Sequence, residues 1–311
     1  MTSLASFKQI DFQTADDLWE SLSPTRNLDL QKPYNLIYRG QGNSDWKLIP
    51  YALRDNHINK SVVRQYNNEH KQANGLVRDE LFSLIQFVKH CDRTGIKIPN
   101  DTKAFREDLM NLHSPVNNNF ITNPSSWPNR DYLELMALAQ HHGVPTRLLD
   151  WTSLPYTACY FAASSAVSNY QEWDENSQLA IWVINKNAIV AEDLYYVFKA
   201  PGSISPHLAA QYGSFTVHPH NGAYRKPYQI FGLEELSIPK ETPNIFKLTL
   251  PSFEAGRLLL LCNHSGFSAA DIYPSADGAG KAVNDDRNIQ AALCHFKEKG
   301  LKLSFFERKI I

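Results

Sequence analysis

The sequence predicts an α+β fold, and three observations predict it. Runs with strand character are scattered along the chain at Asn35–Gly40, Thr146–Thr152, Leu179–Ile184, Gly213–Val217 and Phe246–Leu250. Segments with helical apolar spacing fill the gaps unevenly, most of them between the first two strands, which gives the order strand, helices, strand, helix, strand, strand, strand. Of the 311 residues, 43% are hydrophobic, with 6 Trp, 14 Tyr and 16 Phe; that is enough apolar surface for a full core and excludes a disordered chain.

From Asp11 to Leu22, apolar residues recur at helical spacing (Phe12, Ala15, Leu18, Trp19, Leu22), with Thr14 as N-cap ahead of Asp16 and Asp17 and a stop at Ser23-Pro24. Asn35–Gly40 reads as a buried strand that sets Arg39 at its end; Gly40 and Gly42 let the backbone turn or approach a ligand. Ser61 to Val88 fits one long helix or a bent pair, followed by a break over Thr94–Ile98 and a short helix over Ala104–Leu112. Val116 to Pro128, rich in Asn, Pro and Ser, reads as a loop: a variable insertion or a cover for a site. Asp131–His141 is a helix that Gly143 and Pro145 stop. After the second strand, Pro155 suits the first position of a helix through Ala166; further helices are expected over Ser252–His264 and Asn284–Lys299.

A net charge of −1 denies the chain the broad basic surface of a non-specific nucleic-acid or anionic-membrane binder. Cys91, Cys159, Cys262 and Cys294 show no C-x-x-C spacing and sit mostly in apolar runs, so buried thiols in a reducing compartment are expected, with no metal. His218 and His220 share a strand face but have no third ligand nearby in sequence. The first residues lack the apolar core of a signal peptide and no run is long enough to span a membrane, so the expected location is cytoplasmic. Phosphate-binding loops, dinucleotide fingerprints and a nucleophile elbow are all missing from the sequence.

Polar chemistry concentrates in two distant places. One is Tyr38-Arg39-Gly40-Gln41-Gly42, with Trp46, Leu48, Pro50 and Arg54 behind it; the other is Gln140-His141-His142-Gly143-Val144-Pro145-Thr146-Arg147-Leu148-Leu149-Asp150-Trp151-Thr152. Charged residues and an indole crowd the end of a buried strand in each case, with Asp45 as the anion of the first and Asp150 of the second, which predicts one pocket assembled from two strands. Arg39 suits forked, charge-assisted hydrogen bonds to phosphate or ribose, or else an ion pair that ties its strand to Asp150 or Asp45. Asp150 suits polarisation of a hydroxyl or nucleophile; it equally suits an N-cap of the next helix or an ion pair with Arg147 or Arg39. Trp151 fits either the core or a stacking platform, and His142 either a ligand-facing imidazole or a helix terminator favoured by the dipole.

These two segments resemble the FRG domain, named for its Phe/Tyr-Arg-Gly motif. Gln211-Tyr212-Gly213-Ser214-Phe215-Thr216, Gly266-Phe267, Tyr273-Pro274 and Asp277-Gly278 extend the resemblance over roughly residues 16–283, with His207 where the family usually has Arg. The resemblance implies one domain over 1–311, with a helical insertion at about 60–141 and a C-terminal helix and tail over 284–311. The element order is also similar to the split-sheet core of mono-ADP-ribosyltransferases, and that likeness implies NAD as substrate and no metal. It implies Tyr38, Arg39, Gly40, Gln41, His142, Arg147 and Trp151 around the nucleotide, with Asp150, Thr152 and Gln211 at the reacting centre. It further implies ADP-ribosyl transfer to a protein, nucleic-acid or small-molecule acceptor, or NAD glycohydrolysis, in bacterial defence or as a toxin. A non-catalytic nucleotide-sensing or protein-interaction module is the alternative. Gln211 is neutral where a glutamate is usual, so the charge that stabilises an oxocarbenium centre falls to Asp150, or to Glu234 or Glu235.

Overall fold

Leu36 to Gln41 alternates between two environments, and this alternation sets the layers of the molecule. Leu36 and Tyr38 face one apolar cluster, while Ile37 faces another. The computed structural model describes residues 5–23, 35–54, 72–111, 119–190, 194–204, 206–219 and 222–298. Its strands are β1 (Lys8–Asp11), β2 (Leu36–Gln41), β3 (Leu148–Thr152), β4 (Gln178–Asn185), β5 (Tyr196–Phe198), β6 (Gly213–Val217) and β7 (Ile245–Pro251). They form one 7-stranded sheet in the order β1-β7-β4-β2-β3-β6-β5, mixed because β1 runs parallel to β7 and every other pair is antiparallel.

The helices are α1 (Ala15–Ser21), α2 (Ala73–Thr94), α3 (Lys103–Asn111), α4 (Asn119–Thr122), α5 (Leu133–His141), α6 (Pro155–Ser168), α7 (Pro206–Ala210), α8 (Leu233–Leu236), α9 (Ala255–His264), α10 (Ala269–Ile272) and α11 (Ala276–Glu298). Helices α1, α6, α9 and α11 cover β2, β4 and β7 on one side through Leu18, Ala162, Leu258, Ile289, Ile181 and Leu248. Helices α2 to α5 pack on β3 and β6 through Leu81, Leu109, Ile121, Met136, Leu148 and Val217. Trp182, Ile37, Trp151 and Leu233 close the opposite face.

Local chemistry explains the boundaries. Thr14 caps α1 by accepting from the Asp17 amide at 3.1 Å, as its position predicts. The first turn of α1 is tied to α9 by the Asp16–Arg257 ion pair at 2.7 Å and by Ala15 N–H donating to Glu254 at 2.9 Å. Helix α2 ends at Thr94, and the break expected over Thr94–Ile98 follows it, opened by Gly95, whose φ of 70° supplies the left-handed cap. Residues 61–71 of the expected long helix lie outside the described residues. The stretch expected as a loop or cover is partly core: over 119–128 it forms α4 and a short turn, and it buries Ile121 and Trp127 among the helices. Two strands escaped the sequence reading. β1 is mostly exposed and β5 is half-buried throughout, so neither carries a continuous apolar run.

Strands β2 and β3 are neighbours, yet they share a single register pair, Tyr38 with Thr152. Continuing that antiparallel register would set Arg39 opposite Trp151 and Gly40 opposite Asp150; the strands separate there instead. β2 stays paired to β4 along its whole length, from Leu36–Asn185 to Gln41–Ala180. The sheet therefore opens where the polar ends of both strands lie.

Candidate functional site

At the opening, the Asp150 carbonyl has lost its strand partner, and the Arg39 guanidinium replaces it: Nη1 donates to the Asp150 carbonyl oxygen at 2.8 Å and lies 3.8 Å from carboxylate Oδ2. The Arg39 side chain is 17% exposed and that of Asp150 is 65% exposed, so the cation is sunk into the opening and the carboxylate stands at its edge. Burial lowers the Arg39 pKa, the Asp150 charge opposes the shift and the nearby Arg54 cation adds to it. Nε of Arg39 is buried without a hydrogen-bond partner.

The Asp150 carboxylate is held from the other side by α5. Gln140 Nε2 donates to Asp150 Oδ1 at 2.7 Å, and the Thr146 hydroxyl donates to Gln140 Oε1, which fixes the orientation of the amide. Thr146 in turn accepts from Leu148 N–H at 3.2 Å. The helix after β3 begins with Leu154 as N-cap and no side-chain cap, so Asp150 is not a capping residue. Thr152 is engaged elsewhere: its hydroxyl donates to the Gln211 carbonyl at 2.7 Å and accepts from Leu154 N–H at 3.0 Å, which ties β3 to the turn before β6. That turn places Tyr212 at φ 49°, an uncommon conformation for a non-glycine residue, directly after Gln211.

Around this pair lies a cavity of about 500 Å³. Tyr38, Arg39, Gly40, Gln41, Asp150, Trp151, Thr152 and Gln211, all expected from the sequence, line it. Several serve the fold as well. Gln41 accepts from the buried Trp182 indole at 2.8 Å, and Trp151 donates to Thr216 at 2.9 Å from within the core. Burial pushes the Tyr38 pKa up to about 12, so its phenol stays protonated. Gln211 donates weakly to the Ile272 carbonyl at 3.5 Å.

Four expectations are corrected. Arg147 lies away from the cavity: it is fully buried, with Nε donating to Glu80 of α2 at 2.8 Å and Nη2 to the other oxygen of that carboxylate. Burial opposes its charge, but Glu80 carries its pKa above the ordinary value. His142 is the exposed C-cap of α5, stacked toward Phe87 at 6.3 Å; His141 lines the cavity in its place. Glu234 and Glu235 belong to α8, where Glu234 accepts from Leu48 N–H at 3.1 Å and Glu235 pairs with Lys47 at 2.9 Å, so they brace the loop after β2 and do not line the cavity. Gly42 does not line the cavity and answers to helix packing, which Gly40 serves besides lining the cavity. A Cβ on Gly40 would meet the Ala158 carbonyl oxygen at 2.0 Å, and one on Gly42 the Ala166 nitrogen at 2.7 Å, so the alanine face of α6 rests directly on β2.

The cavity also takes residues that sequence reasoning did not assign to it. Trp46, 45% exposed, and Arg54 come from the segment after β2; Phe161 and Ser165 share one face of α6; Phe215 and Tyr273 form a far wall. Burial, with the Asp150 charge adding, pushes the Tyr273 pKa up to about 12. Spacing of four along α6 was the available signal for Phe161 and Ser165; Phe215 and Tyr273 had none beyond their motifs. Among the described residues there is no group of three metal-ligating side chains, and no helix is long and apolar enough to cross a membrane. Cys91, Cys159 and Cys262 are buried thiols, and Cys294 is exposed. Cys159 inside α6 has its pKa raised by burial and makes a poor nucleophile.

No curated protein and no solved structure matches the chain. A family model does match, over residues 34–171. That segment runs from the approach to β2 through α6 and carries Arg39, Trp46, Arg54, Gln140, Asp150 and Thr152, whereas Gln211, Phe215 and Tyr273 reach the cavity from beyond it. Residues 34–171 of this chain are an FRG domain.

Proposed function

We propose that the cavity binds NAD and that the protein transfers its ADP-ribosyl group to an acceptor, or to water. The observation that carries this reading is the Arg39–Asp150 pair at an opening in the sheet, a sunken cation beside a solvent-facing carboxylate. A cavity of about 500 Å³ walled partly by Trp46, Phe161 and Tyr273 suits a ligand with aromatic rings and phosphates. In this reading Arg39 forks onto phosphate or ribose oxygens. The bond from ribose C1′ to the nicotinamide nitrogen breaks, nicotinamide leaves with the electron pair, and positive charge grows on the ribose. Asp150, aligned by Gln140, stabilises that charge and takes the acceptor's proton as the new C1′ bond forms. Gln211 holds a ribose hydroxyl. The acceptor is a protein, a nucleic acid or a small molecule.

One observation favours a second reading, a nucleotide-sensing or interaction module without turnover: Asp150 is the sole carboxylate among the described residues that line the cavity, since Gln211 is neutral. Nicotinamide release from NAD, with and without cell extract, separates the two readings. The transferase reading expects release by the wild type, its loss in Asp150→Asn, and an NAD Kd within about threefold of wild type in that variant, because the carboxylate acts mainly on the transition state. Gln211→Glu should keep or raise the release. No release from either protein, together with weaker nucleotide binding by Gln211→Glu, would leave the sensor reading in its place.

A further inference from the structure

Arg54 follows a short turn over Tyr51–Leu53 and lines the same cavity as Arg39. Its Nε donates to the Ile49 carbonyl at 3.1 Å and its guanidinium lies 5.8 Å from the Tyr51 ring centroid, but no carboxylate pairs with it among the described residues. Arg39 spends Nη1 on a backbone carbonyl, stands 3.8 Å from Asp150 Oδ2, and keeps a buried Nε without a partner. The cavity thus sets two guanidiniums against one carboxylate. The Arg54 cation disfavours the charge on Arg39, and burial lowers the pKa of both. Like charges held together in a half-buried cavity are costly unless an anion joins them.

We propose that Arg54 and Arg39 form a two-guanidinium clamp for the diphosphate of the nucleotide, one fork for each phosphoryl group. This deepens the NAD reading and rests on it. Planar guanidiniums match phosphoryl oxygens in pairs, which ammonium groups do not. A purely structural Arg54 would need only the bond from Nε to Ile49; among the described residues its two Nη groups have no hydrogen-bond acceptor, which suits them to a ligand.

Calorimetric titration of the full chain with inorganic pyrophosphate, ADP and adenosine tests the clamp. Arg54→Gln should weaken ADP and pyrophosphate binding by about tenfold and leave adenosine within about twofold. Arg54→Lys should recover part of the loss by restoring charge without the fork. Unchanged ADP affinity in Arg54→Gln, or an equal loss for adenosine, would overturn the clamp while NAD binding by the wild type kept the NAD reading alive. Pyrophosphate binding that depends on Arg54, without any binding of ADP or NAD, would keep the clamp and overturn the NAD reading. A wild type that binds none of these probes would overturn both. Should Arg54→Gln fail to fold, the salt dependence of ADP binding to the wild type decides: a steep fall with salt supports the clamp and a flat response overturns it.

Discussion

Arg39 and Arg147 sit near the facing ends of neighbouring strands, carry the same charge, and fit the same role in the sequence. Their settings in the fold are opposite. Arg147 is fully buried and gripped by both oxygens of Glu80, which also accepts from the Trp127 indole at 3.1 Å. Arg39 is also sunk in the protein, but its carboxylate neighbour stands off at 3.8 Å and leans toward solvent and Gln140. A buried arginine with its counter-charge supplied by the fold is a structural part. One whose counter-charge is incomplete and faces a cavity is left for a ligand.

The largest effect that can break this comparison comes from the Arg147 side. Glu80→Gln would leave a buried cation without compensation, and a loss of about 3–5 kcal/mol in unfolding free energy is expected from urea denaturation. Arg39→Gln should cost no more than about 1 kcal/mol, the size of one hydrogen bond with a partly solvated partner. Equal losses would mean that both arginines are structural.

Acid sharpens the comparison on the same side. His218 is buried near Arg147, and burial, with the Arg147 cation adding, pushes its pKa from 6.5 down to about 3. Between those values the unfolded chain binds a proton that the folded chain refuses. The contribution of His218 to stability is therefore complete above pH 6.5 and lost as the pH falls toward about 3. The slope it adds is about 1.4 kcal/mol per pH unit. In His218→Gln the unfolding free energy, measured in urea at pH 7, 6, 5 and 4, should fall less steeply by about that amount. An unchanged slope would show that the imidazole already titrates normally in the fold.

How much of this was legible in the sequence follows from the range of each signal. Thr14, Pro155 and the continuous apolar run of β4 act within a few residues, and the elements they predict are in place. The crowding of Arg39 and Asp150 at strand ends was equally local, and the two do meet. Glu80 is 67 positions from Arg147 and sits on a helix facing it, so nothing near Arg147 marked it as spoken for. Gly42 misled for a related reason. A glycine looks the same whether a ligand or a helix must come close, and only the packing of α6 and the cavity lining tell Gly42 from Gly40. β5 and the turn at Tyr212 depend on neighbours across the sheet and leave little trace in their own residues.

The most direct measurement is the calorimetric Kd for NAD of the wild type and of Arg39→Gln, each checked by its thermal unfolding midpoint. The Arg39–Asp150 account predicts binding by the wild type, affinity weakened at least about tenfold in the variant, and a midpoint within a few degrees of wild type. Equal NAD affinity in the two proteins, or a wild type that binds no NAD, would contradict it.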